Sequence, residues 1–230
     1  MEHQYTKKDK FLNWLYYHVW WLVAAGFLLI VGGSMIFAGM EQAGKGCDYC
    51  IAYIGTVELP AACVSALQEE IAVLGRDTNG DEEVIVQIKQ YIVSDVGSQD
   101  TEAAYGRVAE VALLTDISEG ESYFFLVEYP EEFQKDFQLM AHMDGSTSAD
   151  DDFGVWDKVY RWADCPVLAG LELGTSADSA GVRMVHQELL ADLYLGRRCF
   201  LNPNMKINSA ANADLWEALT ENAIPAQRAN

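Results

Sequence analysis

A chain of 230 residues with a formal net charge of −20 has room for one domain and an anchor, at roughly 100–200 residues per domain, and its charge excludes partners built on a phosphate backbone. Half of its residues are apolar and 11% are aromatic, so a packed core is within reach and wholesale disorder is excluded. The charge is uneven: residues 1–46 carry +1, with Lys7, Lys8, Lys10 and Lys45 against Glu2, Asp9 and Glu41. The remaining −21 belongs to a surface that also repels anionic lipid headgroups.

Residues 1–10 read as a basic cytoplasmic N-terminus. Residues 11–40 follow as a transmembrane signal-anchor, with no charge from Val19 to Met40. That is about 22 residues, enough to cross a ~30 Å hydrocarbon core at about 1.5 Å per residue. Lysines precede the segment and acids dominate after it, so the positive-inside rule places the N-terminus in the cytoplasm. The main domain then stands outside, tethered to the cell membrane, with the lipid bilayer as partner of residues 11–40. Trp14, Tyr16, Tyr17, Trp20 and Trp21 form half of an aromatic belt. A cleavable signal has an apolar core of about 7–15 residues and small residues before the cut; this core is longer and no such site follows. Gly44-Lys45-Gly46 before Cys47 does not make a lipobox.

Residues 41–47 are a linker, and residues 48–230 form one extracytoplasmic α/β domain. Cys47 and Cys50 make a C-x-x-C without the second ligand pair that zinc requires, which leaves free thiols or one local disulfide. Asp48 to Gly55 is a short apolar run, read as a buried strand. Pro60 opens a helix whose Val64, Leu67, Ile71 and Leu74 recur at helical spacing, with Gly75 as its C-cap. Asp77 to Asp81 is a turn. Glu83 to Val93 is a strand with Val84, Val86, Ile88 and Ile92 on one face and Gln87 and Lys89 on the other, as at a sheet edge. Asp100 caps a helix with a stripe of Ala104, Val108, Val111 and Leu114, ended by Gly120.

Tyr123 to Val127 is a continuous apolar run, expected in a central parallel strand. Pro130 stops it, and residues 131–139 form a short helix. This β-α-β-α-β-α order predicts a mostly parallel sheet in a three-layer α/β arrangement. Beyond an acidic loop at 142–152, the expectations are a helical turn at 155–162, a strand at 166–173, a strand at 193–200 after a short helix, and a helix at 212–222 with Leu215, Trp216 and Leu219 inward. Leu67, Ile71, Val86, Phe125 and Leu126 are expected to be buried together.

Several stretches carry a resemblance. Ile51 to Gly75, Val84 to Val93 and Leu113 to Phe125 resemble the first lobe of type 2 extracellular solute-binding proteins, the periplasmic-binding-like fold. In that family a helix leads through a glycine into the lobe's third β element. The anchor, with its paired lysines and Tyr16-Tyr17-His18-Val19-Trp20-Trp21, and the segment Leu193 to Arg198 are similar to small membrane-anchored bacterial proteins of unknown function. Transport receptors have a lipobox and two lobes, and neither is read here. The resemblance therefore implies a binding fold, not transport.

Chemical signatures are sparse. Asp77, Asn79 and Asp81 alternate as oxygen donors like the start of a calcium loop, although Glu82 replaces the glycine at position 6 and Ile88 the closing Glu at position 12. They are candidates for a weak calcium site, and no other cofactor is expected. No nucleophile elbow, P-loop or G-x-G-x-x-G occurs, so no enzyme is expected. Open α/β sheets bind ligands beyond the carboxyl ends of their strands. Gly55, Thr56, Glu58, Ser94, Asp95, Glu128 and Tyr129 are therefore the candidate ligand-binding residues. The expected function is a membrane-tethered extracytoplasmic module that binds a small molecule or protein. The alternative is an accessory subunit of a larger membrane complex.

Overall fold

The computed structural model describes residues 46–93, 101–149, 151–178, 180–199 and 208–227; for residues 101–105 and 107 it describes the backbone alone. The expected cytoplasmic N-terminus, the expected anchor at 11–40 and the expected linker up to Lys45 lie outside the described residues. Among the described residues no helix is long and apolar enough to cross a membrane.

In chain order the elements are β1 (Tyr49–Gly55), α1 (Ala61–Leu74), β2 (Val86–Ile92), α2 (Thr101–Glu119), β3 (Phe124–Val127), α3 (Pro130–Phe137) and β4 (Val159–Arg161). A 3₁₀ turn at Trp162–Asp164 follows, then α4 (Pro166–Ala169), β5 (Thr175–Ala177), β6 (Arg183–Val185), α5 (His186–Leu190), β7 (Tyr194–Arg197) and α6 (Ser209–Leu219). Among these the main sheet runs β2-β1-β3-β7-β4. β1 pairs in parallel with β2 and β3, and β7 pairs antiparallel with both β3 and β4. Four of the five strands therefore point one way, and the domain is mixed α/β with a mostly parallel central sheet.

All seven residues of β1 are buried. Such a strand needs cover on both faces, and the alternation of side chains supplies two cores. Tyr49, Ile51 and Tyr53 point to one face, where they meet Cys63, Leu67 and Ile71 of α1 and Leu215, Trp216 and Leu219 of α6. Ala52 and Ile54 point to the other, with Leu113 of α2 and Phe133 of α3. Helices thus lie on both faces of the sheet. Leu67, Ile71, Val86, Phe125 and Leu126 are all buried, but Phe125 belongs to the second core and the other four to the first. Adjacent strand residues cannot share a face, so these five are split by the sheet.

Other expectations hold with adjustments. β2 is an edge strand, as its wet face implied. α6 buries Leu215, Trp216 and Leu219 and begins three residues earlier than expected, because the Asn208 side chain accepts the Ala211 N–H at 3.1 Å and caps it. Gly75 ends α1 in extended backbone, not a left-handed turn. A Cβ there would come within 2.6 Å of the Tyr49 ring, so close approach is what requires the glycine.

Three expectations are corrected. The stripe on α2 does not face the core: Val108 is 68% exposed and Val111 63%, while Leu113 and Asp116 turn inward. Asp116 is buried because Tyr91 Oη (2.8 Å), the Ser122 hydroxyl (2.7 Å) and the Ser122 N–H (3.0 Å) all donate to it. Hydropathy spacing counts an aspartate as outward and so misplaces the face. Residues 159–161 form a strand, not a helix, because Val159 and Arg161 find partners in Gly196 and Tyr194. Residues 166–169 are a helical turn, not a strand, with Pro166 at its first position and Gly170 closing it. The β5–β6 hairpin has no counterpart in the sequence reading.

Phe125 has no solvent exposure. Phe125→Ala is expected to lower stability by about 3–5 kcal/mol, measured by urea unfolding of the full chain.

Candidate functional site

The order in which β1 is flanked by β2 on one side and β3 on the other places the topological switch point at the carboxyl ends of β1 and β3. Two turns meet there. β1 ends at Gly55, where a Cβ would lie 2.3 Å from Tyr53 Oη; that hydroxyl donates to the Val57 carbonyl at 2.7 Å. Burial, followed by the nearby Glu128 carboxylate, pushes the Tyr53 phenol up to about 12, so it stays a donor. Thr56 then donates twice to Glu128 Oε2, from its N–H at 2.7 Å and its hydroxyl at 2.8 Å. The carboxylate stitches the turn after β1 to the turn after β3.

Tyr129 follows Glu128 and lines two cavities. The first, about 500 Å³, lies over Gly55, Thr56 and Val127, with Leu113 of α2 and Phe133 and Phe137 of α3 in its wall. Glu110 of α2 and Glu132 and Asp136 of α3 also line it. The second, about 680 Å³, has a more polar lining and runs from Glu128 past Tyr194 to Ile224–Gln227. Its Arg161 is paired with Asp192, which raises the guanidinium pKa further.

Of the candidate residues, Gly55, Thr56, Glu128 and Tyr129 come together at this crevice. Glu58 is exposed and lines neither cavity, because the chain turns back over Tyr53 into Leu59, whose N–H donates to Gln90 at 2.7 Å. Ser94 and Asp95 lie outside the described residues. The site residues that the sequence reading missed are Phe133, Phe137, Glu132 and Asp136. Tyr129, Phe133 and Phe137 recur every fourth residue, and that spacing across a proline was the available signal.

The turn at 77–81 is built from its own side chains. Asp77 accepts backbone N–H groups of Asn79 (3.0 Å), Gly80 (2.6 Å) and Glu82 (2.9 Å), which holds its carboxyl below the usual range. Asn79 accepts from the Asp81 N–H (2.9 Å), and Asp81 from the Glu83 N–H (3.1 Å). Glu82 takes a φ of 67°, the left-handed geometry for which glycine was expected. Buried Asp48 ties the turn to the sheet, accepting from Thr78 N–H (2.8 Å) and Oγ1 (2.7 Å) and from the Ile85 N–H (2.8 Å). Among the described residues no three His, Cys, Asp or Glu side chains are grouped to hold a metal ion.

Elsewhere the titratable groups are structural. Cys47 and Cys50 form a disulfide, while Cys63 and Cys165 are buried thiols. Burial pushes their pKa up to about 11 and about 12, where thiolate chemistry is suppressed. His186 is a satisfied core histidine, its ring nitrogens 2.6 Å from the Leu173 carbonyl and 2.9 Å from Ser176 Oγ. Lys158 is fully buried and donates to Asp152 at 2.8 Å and to the Gly154 carbonyl. His142 joins this group through Asp157 at 2.9 Å and Asp152 at 3.5 Å. Comparison with family models, curated proteins and solved structures found no match to this chain.

The buried lysine gives a stability test. Asp152→Ala leaves the Lys158 ammonium with one carbonyl and a carboxylate 3.7 Å away, and is expected to lower stability by roughly 2 kcal/mol. Lys158→Met in the same background should recover part of that, as read by a double-mutant cycle in urea. The pH dependence follows from the same groups. Lys158 holds the Asp152 carboxyl below the ordinary 3.8, and the Ser146 hydroxyl and N–H do the same for Asp144. The unfolded chain therefore takes up protons first. The stability these groups confer is present above the unfolded pKa near 3.8 and is lost as pH falls through the lower folded values. The urea midpoint should drop steeply below about pH 4, and less steeply in Asp152→Asn.

Proposed function

We propose that the chain is a membrane-tethered extracytoplasmic module that binds a small molecule in the crevice at the carboxyl ends of β1 and β3. The observation that carries this reading is the cavity of about 500 Å³ beside the switch point, a size within the ordinary range of ligand pockets, about 300–1,000 Å³. Its wall is largely apolar, and its turn is fixed in advance by the Thr56–Glu128 bonds. A rigid, preformed rim lowers the ordering cost of binding. Support for the periplasmic-binding-like resemblance comes from α2, which leads through Gly120, at a φ of 67°, into β3. The lysines before residues 11–40 and the acidic domain after them support the topology. Asp77, Asn79 and Asp81 are proposed as a weak calcium site, supported by the left-handed backbone at Gly80 (82°) and Glu82 (67°).

One observation favours the alternative reading, an accessory subunit. Val108, Val111 and Leu114 leave an exposed apolar row on α2, which suits a protein partner.

Three measurements check these proposals. A small-molecule thermal-shift screen of the full chain in lipid nanodiscs should give at least one stabilising compound. Val93→Trp, at the half-exposed edge of the cavity, should abolish its effect. A membrane-impermeant protease added to spheroplasts should digest residues 47–230; an untouched domain would reverse the orientation. Melting curves in calcium and magnesium should differ, with Asp77→Ala erasing the difference. Equal shifts would leave a solvated turn screened alike by both ions.

A further inference from the structure

We propose that the apolar cavity takes a small organic ammonium ion with an apolar or aromatic body, an inference that rests on the cavity being the binding site. Three observations converge on that class of ligand. The first is the charge of the rim. Glu110, Glu132 and Asp136 line the cavity from two different helices, and no Lys, Arg or His is among the described lining residues. Glu132 and Asp136 are four residues apart on α3, so their side chains rise from the same side of the helix. The second is the wall. Tyr129, Phe133 and Phe137 line it in one row, with the Phe133 and Phe137 ring centroids 5.0 Å apart. Aromatic rings attract cations through their quadrupole as well as covering apolar surface. The third is the contrast with the neighbouring cavity. There the arginine is already paired with Asp192, whereas the carboxylates of the apolar cavity face no described cation within its lining.

Each alternative ligand class meets a physical obstacle or loses a contribution. A carboxylate or phosphate ligand would enter against three carboxylates on a chain of net charge −20. A sugar would set its hydroxyls against Leu113, Val127 and Phe133, which offer no side-chain hydrogen bonds. A neutral apolar molecule fits the wall but makes no use of the rim. An ammonium ion on an apolar body uses both: the body displaces water from the wall, and the charged end stays at the exposed carboxylates, where it keeps part of its hydration.

The test compares three ligands of one shape: 2-phenylethylamine, 2-phenylethanol and 3-phenylpropionate, titrated calorimetrically into the full chain in lipid nanodiscs. The amine should bind about tenfold more tightly than the alcohol, and the propionate more weakly than either. Glu132→Gln with Asp136→Asn should remove about that tenfold for the amine and leave the alcohol unchanged. Glu188→Gln with Glu217→Gln removes the same charge from exposed positions outside the cavity and should change nothing. Raising salt should weaken the amine alone. If amine and alcohol bind alike and both are lost in Val93→Trp, the cavity stands and the ammonium preference is overturned. If amine binding survives Val93→Trp, or if none of the three binds, the cavity reading fails and this inference with it.

Discussion

A strand of seven residues with no exposed side imposes most of this architecture. β1 has every side chain buried, from Tyr49 to Gly55. Its backbone groups can then be satisfied only by strands on both edges, and its side chains only by helices on both faces. β2 and β3 meet the first demand in parallel register, and each must be reached by a crossover long enough to hold a helix. Those crossovers are α1 and α2, and they pack on opposite faces. The switch point, and with it the crevice, is the geometric result of sending one crossover to each side.

Beyond that centre the fold depends on a few buried polar groups held by specific partners. Asp116 satisfies Tyr91 and Ser122 where α2 turns into β3, and Lys89 approaches it at 3.4 Å. Arg198, beyond the end of β7, donates to the Ile117 carbonyl at 2.7 Å and lies 5.8 Å from the centre of the Phe125 ring. Burial lowers its pKa, and the Asp116 carboxylate opposes that shift. Asp48 performs the same service for the turn before β2. Each of these groups costs free energy to desolvate and recovers it only in one geometry, so they fix register and turn shape more than they add stability.

This division explains what the amino-acid sequence made legible. The first half of the domain is written in hydropathy: Cys50 to Ile54, Leu67 and Ile71, and Phe124 to Val127 are apolar in runs or periods that admit few alternatives. α2 was legible as a helix but not in its rotation, because its inward face includes an aspartate whose partners are 6 and 25 residues away. From β4 to β7 the chain is built from strands of three or four residues and helices of four or five, too short to show a period. Val159–Arg161 becomes a strand only because β7 stands antiparallel beside it. At the site, the switch-point rule located Gly55, Thr56, Glu128 and Tyr129. It placed no emphasis on α3, whose Phe133 and Phe137 form the wall.

The Thr56–Glu128 bonds also bear on which side of the proposed binding crevice would be open to a ligand. Among the described candidate residues, Glu128 is the one acid placed at the junction of both turns, and its Oε2 is already engaged by two donors. A ligand seeking that oxygen would have to replace both a backbone N–H and a hydroxyl, which a single ammonium group does only at the cost of leaving Thr56 N–H without its partner. The second cavity is similarly occupied by its own ion pair, Arg161 with Asp192. Unspent binding capacity therefore lies on the α2–α3 side, where apolar wall and carboxylate rim occur together. In the proposed reading, the polar stitch shapes the mouth, and the helices that cover the second core would supply the surface that recognises what enters it.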